Sequence, residues 1–272
     1  MFPWFTLFPL YTPANQLINM LMPIFNYVAC MKKRLLATTL LILLSLAGKT
    51  QEGYTLKKPA VWYTSGIGLA LSAGGIYAQY NIQPLTPAAI NGLNTDGFGP
   101  LDLQATRNHS TAAKTWSDIS VVTLMAAPGF FSLAGKPREQ FFTCNTVYAQ
   151  TLLATAGQVA LIKALVLKER PYVYNTNVPL EEKTERKARF SIPSGHTALS
   201  AAACYFFASS YSIYYPKSKW KPLVWACAAV LPAIPAYLRF KAGRHFVSDV
   251  AAGYLIGAAN GIVIPMIFRI RN

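Results

Sequence analysis

The sequence predicts an all-α integral-membrane protein, a helical bundle with about six transmembrane helices and a candidate site at one membrane face. Three observations support this prediction. Apolar residues make up 53% of the 272 residues and charged residues only 13%, whereas an ordinary soluble domain carries about 25% charged residues. Six stretches are long and apolar enough to cross a bilayer, which takes about 20 residues per helix. Many lysines and arginines fall in short clusters between these stretches.

The six predicted spans are separated by turn-rich or charged loops. They run from Ala60 to Tyr80, from Trp116 to Ala134, from Phe141 to Val166, from Ser194 to Tyr214, from Trp220 to Leu238 and from Phe246 to Phe268. The loop from Asn81 to Lys114 is rich in proline and in Asn-Gly or Asp-Gly turns. The loop from Tyr172 to Ile192 carries the mixed-charge run Glu181 to Arg189, which is typical of a solvated surface.

The chain divides into three predicted regions. Within residues 31–51, three cations precede the apolar run from Leu35 to Gly48, a pattern typical of a secretory signal peptide. Residues 1–30 are then expected to be upstream sequence before a start at Met31, the alternative being an extra, aromatic-rich membrane helix. The membrane domain is predicted over residues 60–270.

The formal net charge of +15 does not predict a nucleic-acid partner, because no basic stripe interleaved with aromatic residues and no zinc-finger spacing occurs. The four cysteines stand apart without a Cys-x-x-Cys pair, so no metal site is predicted. The cations instead flank the spans, as with Lys217, Lys219 and Lys221 before the fifth span and Arg269 and Arg271 after the sixth. By the positive-inside rule, this side of the bundle faces the cytoplasm.

The first candidate cluster is Lys163 and Arg170 at the end of the third span. Because they are seven residues apart, we expect them two turns apart on one helix face, with Pro171 ending the helix. The alternative is that both cations reach the membrane interface or the C-terminal helix dipole and bind no ligand.

The second cluster is Pro193-Ser194-Gly195-His196 at the start of the fourth span. Ser194 is predicted to cap the helix, and Gly195 to let an anion approach the free backbone N–H groups closely. An ordinary helix cap is the alternative. His196, however, is an ionisable residue at the mouth of an apolar segment, which favours a functional role.

The third cluster joins the fifth span to the sixth and contains Arg239, His245 and Asp249. Four residues apart, His245 and Asp249 are predicted to share a helix face, so that the carboxylate holds one imidazole nitrogen as N–H. Arg239, with Lys241 and Arg244 nearby, offers bidentate phosphate recognition. A structural histidine–aspartate pair is the alternative.

In the predicted topology the three clusters lie on one membrane face, and they hold two of the three histidines. The third, His109, is expected to be a solvated loop side chain. Three cations and a helix N-terminus form a cage for a tetrahedral oxyanion, and phosphoryl transfer needs mainly positioning and charge stabilisation. One imidazole can form a phosphohistidine while the other protonates the leaving oxygen. The clusters therefore predict hydrolysis of a phosphate monoester or pyrophosphate, with no metal or other cofactor.

The motifs Lys163-x6-Arg170-Pro171, Pro193-Ser194-Gly195-His196 and Arg239-x5-His245-x3-Asp249 resemble the three-part signature of the type 2 phosphatidic acid phosphatase (PAP2) family, which includes the vanadium haloperoxidases. The resemblance covers residues 140–265. It implies that His245 is the nucleophile, Asp249 its orienting partner and His196 the general acid. It also implies that the phosphate is bound by Lys163, Arg170, Ser194, Gly195 and Arg239. The third motif of the family usually begins Ser-Arg, and Leu238 stands here instead.

The resemblance implies a lipid phosphate substrate, since membrane members of the family act on phosphatidic acid, phosphatidylglycerol phosphate, undecaprenyl pyrophosphate or lipid A. The expected location is a bacterial inner membrane with the site facing the periplasm. A cleaved signal before six spans would turn the site inward, so either the first span is incomplete or the signal-like segment is not exported. Two other functions stay open: a vanadate-dependent haloperoxidase, and a catalytically silent membrane protein that binds lipids.

Overall fold

The computed structural model describes residues 53–270, and these residues form helices and loops without a β-strand. The α-helices are α1 (Lys58–Asn81), α2 (Pro87–Asn91), α3 (Pro100–Arg107), α4 (Thr111–Phe131), α5 (Gly135–Glu139), α6 (Phe141–Val166), α7 (Leu180–Lys183), α8 (Gly195–Tyr214), α9 (Lys221–Val230), α10 (Ala233–Lys241) and α11 (Val247–Phe268). Two 3-10 helices cover Pro171–Tyr174 and Arg186–Arg189. The predicted regions 1–30 and 31–51 lie outside the described residues.

The chain passes back and forth between two ends of a helical bundle. The passes are α1, α4, α6, α8, α9 with α10, and α11. The end that carries loops 82–110 and 167–194 is called the loop end, and the opposite end, with residues 132–140 and 215–220, is called the basic end. Gly68 of α1 packs on Leu153 of α6 and Gly75 on Leu161, so these two helices run in parallel toward the loop end.

Three helical segments of the described chain are long and apolar enough to cross a membrane. They are Phe141–Tyr174, Lys221–Lys241 and Val247–Phe268. The prediction of an all-helical protein is therefore confirmed for the described residues, which contain three candidate membrane-spanning helices, but the number of about six spans is not confirmed. Helices α1, α4 and α8 have 24, 21 and 20 residues, and polar side chains such as Lys114 and Asp118 in α4 make them less apolar.

The predicted fifth span, Trp220 to Leu238, is not one continuous α-helix. Helix α9 ends at Val230 and α10 begins at Ala233, with Pro232 between them. Proline has no backbone N–H to donate and its ring clashes with the preceding turn, so an α-helix breaks or bends there. The other five predicted spans correspond to single helices whose ends differ from the prediction by at most a few residues.

Many large apolar side chains lie on the outside of the bundle, and many small or hydroxyl side chains are buried within it beside a set of aromatic rings. Exposed large residues occur on several long helices and include Trp62, Tyr63, Tyr77, Trp116, Phe130, Val230, Leu255 and Met266. Buried positions include Thr151, Thr155 and Ser209. The Thr151 and Thr155 hydroxyls donate to backbone carbonyls four residues earlier. This distribution fits a membrane protein, because lipid covers the outer apolar surface and small residues allow close helix packing.

Glycines hold α8 and α11 together in parallel. Gly253, Gly257 and Gly261 recur every four residues on α11, and they lie against the backbone of α8 and of its capping residue Ser194. A Cβ at Gly257 would collide with the carbonyl oxygen of Ala198, and one at Gly261 would lie 2.7 Å from that of Ala202. Small residues at this spacing let two backbones approach closely. The contact fixes the position of both helix starts at the loop end.

Replacing Gly257 by alanine should destabilise the bundle, because the new methyl group has to push α8 and α11 apart. Overpacking of this kind costs about 1–3 kcal/mol. The measurement is thermal unfolding of the detergent-solubilised protein, where the midpoint should fall. Gly74→Ala is the matched control, since nothing lies within 4 Å of a Cβ at Gly74. Equal midpoints for the two variants would contradict the role of this contact.

Candidate active site

The three predicted clusters meet at the loop end of the bundle. Lys163 lies in the last turn of α6, and its ammonium group donates to the Phe190 carbonyl at 3.1 Å. The backbone N–H of Ser194, which precedes α8, donates to the Asp249 carbonyl of α11 at 2.9 Å. Segments that are distant in sequence thus form one site between α4, α6, α8, α10 and α11.

The first cluster is brought together by a turn and not by one helix face, so the helical prediction for Lys163 and Arg170 is wrong. Helix α6 ends at Val166, because Leu167 adopts the left-handed conformation with φ 49°. Arg170 is extended, and its N–H donates to the Ala188 carbonyl at 2.8 Å. Pro171 begins the following 3-10 helix instead of ending α6, as suits a residue with fixed φ and no N–H.

The second cluster forms the predicted helix cap at the start of α8. The Ser194 hydroxyl accepts from the Thr197 hydroxyl at 3.0 Å and from the Thr197 backbone N–H, and it keeps its own proton for another acceptor. A Cβ at Gly195 would meet only Val159, at 3.7 Å. Packing therefore does not require glycine at this position. An open backbone at a helix N-terminus fits the approach of an anionic ligand.

A tight turn after α10 places the third cluster. Gly243 has φ +66°, and a side chain there would collide with the Asn108 carbonyl. Glycine meets both demands because it has no Cβ. The Gly243 carbonyl accepts from the Tyr172 N–H at 3.1 Å, and the Arg244 N–H donates to the Arg239 carbonyl at 3.0 Å. These bonds direct the next residue, His245, into the site.

His245 is 1% exposed, and its Nδ1 atom has no hydrogen-bond partner among the described residues. The predicted shared helix face with Asp249 is wrong, because α11 begins at Val247 and His245 precedes it. The distance from Nδ1 to the Asp249 Oδ2 atom is 3.8 Å, longer than a hydrogen bond. Burial, followed by the positive charges of Arg170 and Lys163, holds the pKa of His245 well below its usual range. Its neutral imidazole form is therefore favoured.

Asp249 is fully buried and is held by residues that the sequence analysis did not select. Its Oδ1 atom accepts from the Lys168 ammonium group at 2.8 Å. Its Oδ2 atom accepts from the Ser191 hydroxyl at 2.5 Å and from the Phe246 N–H at 2.9 Å. Lys168 lies between the two cations of the first motif, and Ser191 lies shortly before the second. Their sequence positions near the motifs were the only available signal.

Asp118 of α4 joins the site as a further residue absent from the predicted set. Its Oδ1 atom lies 2.7 Å from the His196 Nε2 atom and 3.5 Å from an Arg239 guanidinium nitrogen. Arg239 also donates to the Ser117 hydroxyl at 3.2 Å. Leu238 removes the usual serine of the motif, and Ser117 supplies a hydroxyl to the arginine from another helix. Its position as an acidic residue inside an apolar predicted span was the signal that could have identified Asp118.

The cations of the site are only partly satisfied. The Nε atoms of Arg170 and Arg239 are buried without a hydrogen-bond partner in the described part of the chain. Buried donors are normally paired, so unpaired ones that surround one space indicate a place for an acceptor ligand. A tetrahedral oxyanion matches two guanidinium groups and an ammonium group in charge and geometry. Within residues 53–270, no three His, Cys, Asp or Glu side chains are arranged to hold a metal ion.

The comparison with protein families agrees with this arrangement. No curated protein and no solved structure gives a match to the chain. The family model described as PAP2 superfamily matches residues 145–272, which contain all three clusters. This match and the cation-lined site at the ends of apolar helices support membership of the chain in the PAP2 superfamily, whose members are generally phosphatases.

Proposed function

We propose that this protein is a membrane phosphatase that hydrolyses a lipid phosphate or pyrophosphate through a phosphohistidine, without a metal ion. The observation that carries the proposal is the buried His245 ring beside Lys163, Arg170 and Arg239, where the Nε atoms of both arginines have no hydrogen-bond partner among the described residues. The low pKa of His245 favours its neutral form. A neutral imidazole has the free electron pair that a nucleophile needs. Fixed cations stabilise the charge on the phosphoryl oxygens during transfer.

The first chemical step uses both histidines. The His245 Nε2 atom attacks phosphorus, because Nδ1 lies on the Asp249 side of the ring. A P–N bond forms as the P–O bond to the lipid breaks. The leaving oxygen takes a proton from His196, whose orientation is fixed by Asp118 at 2.7 Å. The bound phosphate dianion favours the protonated form of this nearby imidazole.

The second step returns the enzyme to its starting state. Water attacks the phosphohistidine and gives its proton to His196, which now acts as the base. The P–N bond breaks, orthophosphate forms and His245 is again neutral. The Asp249 carboxylate interacts electrostatically with the Nδ1 edge of the His245 ring. Lys168 and Ser191 keep this carboxylate in place.

The charge distribution supports an orientation with the loop end outside the cytoplasm. The basic end carries Lys136, Arg138, Lys217, Lys219 and Lys221 with a single carboxylate, Glu139, whereas loop 167–194 carries six cations alongside four carboxylates. Cations concentrate in cytoplasmic loops of membrane proteins. In a bacterial inner membrane the site then faces the periplasm. Its position beside apolar outer helix surfaces suits a substrate whose acyl or isoprenyl chains stay in the bilayer. Helix α1 starts at the basic end, which under this orientation is inside.

His245→Gln should abolish phosphate release, because the amide keeps the polarity and approximate size of the side chain but cannot form the phospho-enzyme. The assay is orthophosphate release in detergent with excess chelator. The substrates are phosphatidic acid, phosphatidylglycerol phosphate, an isoprenyl pyrophosphate and lipid A. A loss of at least about a thousandfold is expected when a nucleophile is removed.

Lys219→Gln is the control for this assay, since Lys219 is exposed at the basic end and should leave turnover unchanged. Wild-type protein quenched during turnover should carry an acid-labile, base-stable phosphoryl label that the glutamine variant lacks. Normal turnover by His245→Gln would eliminate His245 as the nucleophile, and full dependence on an added metal would exclude the metal-free mechanism.

Arg170→Gln should raise the pKa of His245, because one neighbouring positive charge no longer opposes protonation of the ring. The pKa should stay below its ordinary value of about 6.5, since burial is the larger cause. Histidine-selective NMR titration can measure the change, because the chain has only three histidines. Lys219→Gln should leave the titration unaltered. A lowered or unchanged pKa in Arg170→Gln would show that the cation is not acting on this ring.

A further inference from the structure

A second group of polar side chains lies beside the phosphate cage and has no part in the proposed mechanism. Arg244 is 6% exposed, and its guanidinium group lies 4.7 Å from the centre of the Tyr172 ring. It pairs with the Glu182 carboxylate at 2.5 Å. The other Glu182 oxygen lies 3.7 Å from the His109 Nε2 atom. Arg244, Tyr172, His109 and Glu182 are called the outer cluster.

The outer cluster adjoins the phosphate cage. Tyr172 follows Arg170 and Pro171 in the chain, and Arg244 directly precedes His245. The positive charge of Arg244 acts electrostatically on both Arg170 and Arg239 of the cage. A ligand held in the cage therefore has a further cation within reach, on the side of the two long loops.

Two hydrogen-bonding atoms in the outer cluster lack a partner. The Tyr172 hydroxyl and the Arg244 Nε atom are buried and have no hydrogen-bond partner among the described residues. Such atoms are uncommon in folded proteins and indicate a missing partner. The Arg244 Nε atom can only donate and the Tyr172 hydroxyl can also donate, so a single acceptor group would satisfy both. Next to a buried guanidinium group, an anionic acceptor is favoured.

Glu182 takes up only part of this capacity, because it pairs with a terminal nitrogen of Arg244 and leaves the Nε atom unpaired. It belongs to α7, a four-residue helix in loop 167–194, and is partly exposed. A buried arginine without a counter-ion is costly, so a carboxylate from the loop stabilises the empty site. Because α7 is short, Glu182 can be exchanged for a substrate anion without unfolding one of the long helices.

We infer that Arg244, Tyr172 and His109 form a second anion subsite that Glu182 occupies in part in the free protein. The preferred substrate then carries a second phosphoryl anion next to the phosphate that is cleaved. This inference rests on the proposed function. A diphosphate lipid and a lipid with a phosphodiester near its terminal phosphate share this chemistry. In either case the terminal P–O bond breaks, the phosphoryl group moves to His245, and the second phosphoryl group leaves with the lipid.

The test compares kcat/KM for three substrates: an isoprenyl monophosphate, the isoprenyl diphosphate of the same length, and phosphatidylglycerol phosphate. Glu182→Gln should raise the ratio of diphosphate to monophosphate kcat/KM by about tenfold, and Arg244→Gln should lower it by a similar factor, since the first removes a competing carboxylate and the second a charge-assisted hydrogen bond. A parallel change for phosphatidylglycerol phosphate alone would identify the phosphodiester as the second anion. Glu181→Gln is the matched control, because Glu181 is exposed on the same helix and pairs with no cation in the described residues.

The binding of inorganic pyrophosphate and orthophosphate gives a second test. It requires neither turnover nor a folded Arg244 variant. Pyrophosphate should bind to wild-type protein more tightly than orthophosphate, and calorimetry should show the difference increase in Glu182→Gln. Unaltered substrate ratios in both variants, with monophosphate hydrolysis intact, would overturn the second subsite alone. Wild-type protein that releases no phosphate from any substrate would overturn the proposed function, and the calorimetric comparison would still decide the subsite.

Discussion

The site depends on the compensation of one buried negative charge, that of Asp249. A carboxylate with no contact with water is unfavourable unless cations and hydrogen-bond donors surround it. Lys168 and Ser191 approach it from the loop between α6 and α8, and the Phe246 N–H approaches from the junction before α11. The backbone carbonyl of the same residue receives the Ser194 N–H. One residue therefore aligns the loop, the start of α8 and the turn that presents His245.

The rest of the site has the opposite imbalance, because cations outnumber the carboxylates that face them. Lys163, Arg170 and Arg239 are close enough for their charges to act on His245. Their mutual repulsion lowers the stability of the empty protein, a common cost of a preorganised functional site. Asp118 and Glu182 relieve part of it from the periphery, where each contacts one arginine and one histidine. An anionic ligand would relieve the remainder.

Periodicity and composition were sufficient to locate most helices, since long apolar segments bounded by polar loops can bury themselves in few other ways. The break at Pro232 and the turn that separates Arg170 from α6 were missed, because each depends on local backbone geometry that hydropathy does not report. The motif residues were found from their chemistry. Asp118 and Glu182 were not, because one lay in a predicted span and the other in a charge run that appeared solvated. Their roles arise only from contacts across 78 and 62 residues of sequence, to His196 and Arg244.

The glycine contact between α8 and α11 also affects how the site responds to the surrounding lipid. Membrane helices accommodate changes in bilayer thickness by tilting. The helices that begin beside His196 and Asp249 are parallel and in backbone contact at Gly253, Gly257 and Gly261, so they tilt as one unit. A thinner or thicker bilayer then alters the depth at which the site meets lipid head groups, while the spacing of the reactive groups is preserved. Lipid composition should consequently act on substrate access more than on the chemical step.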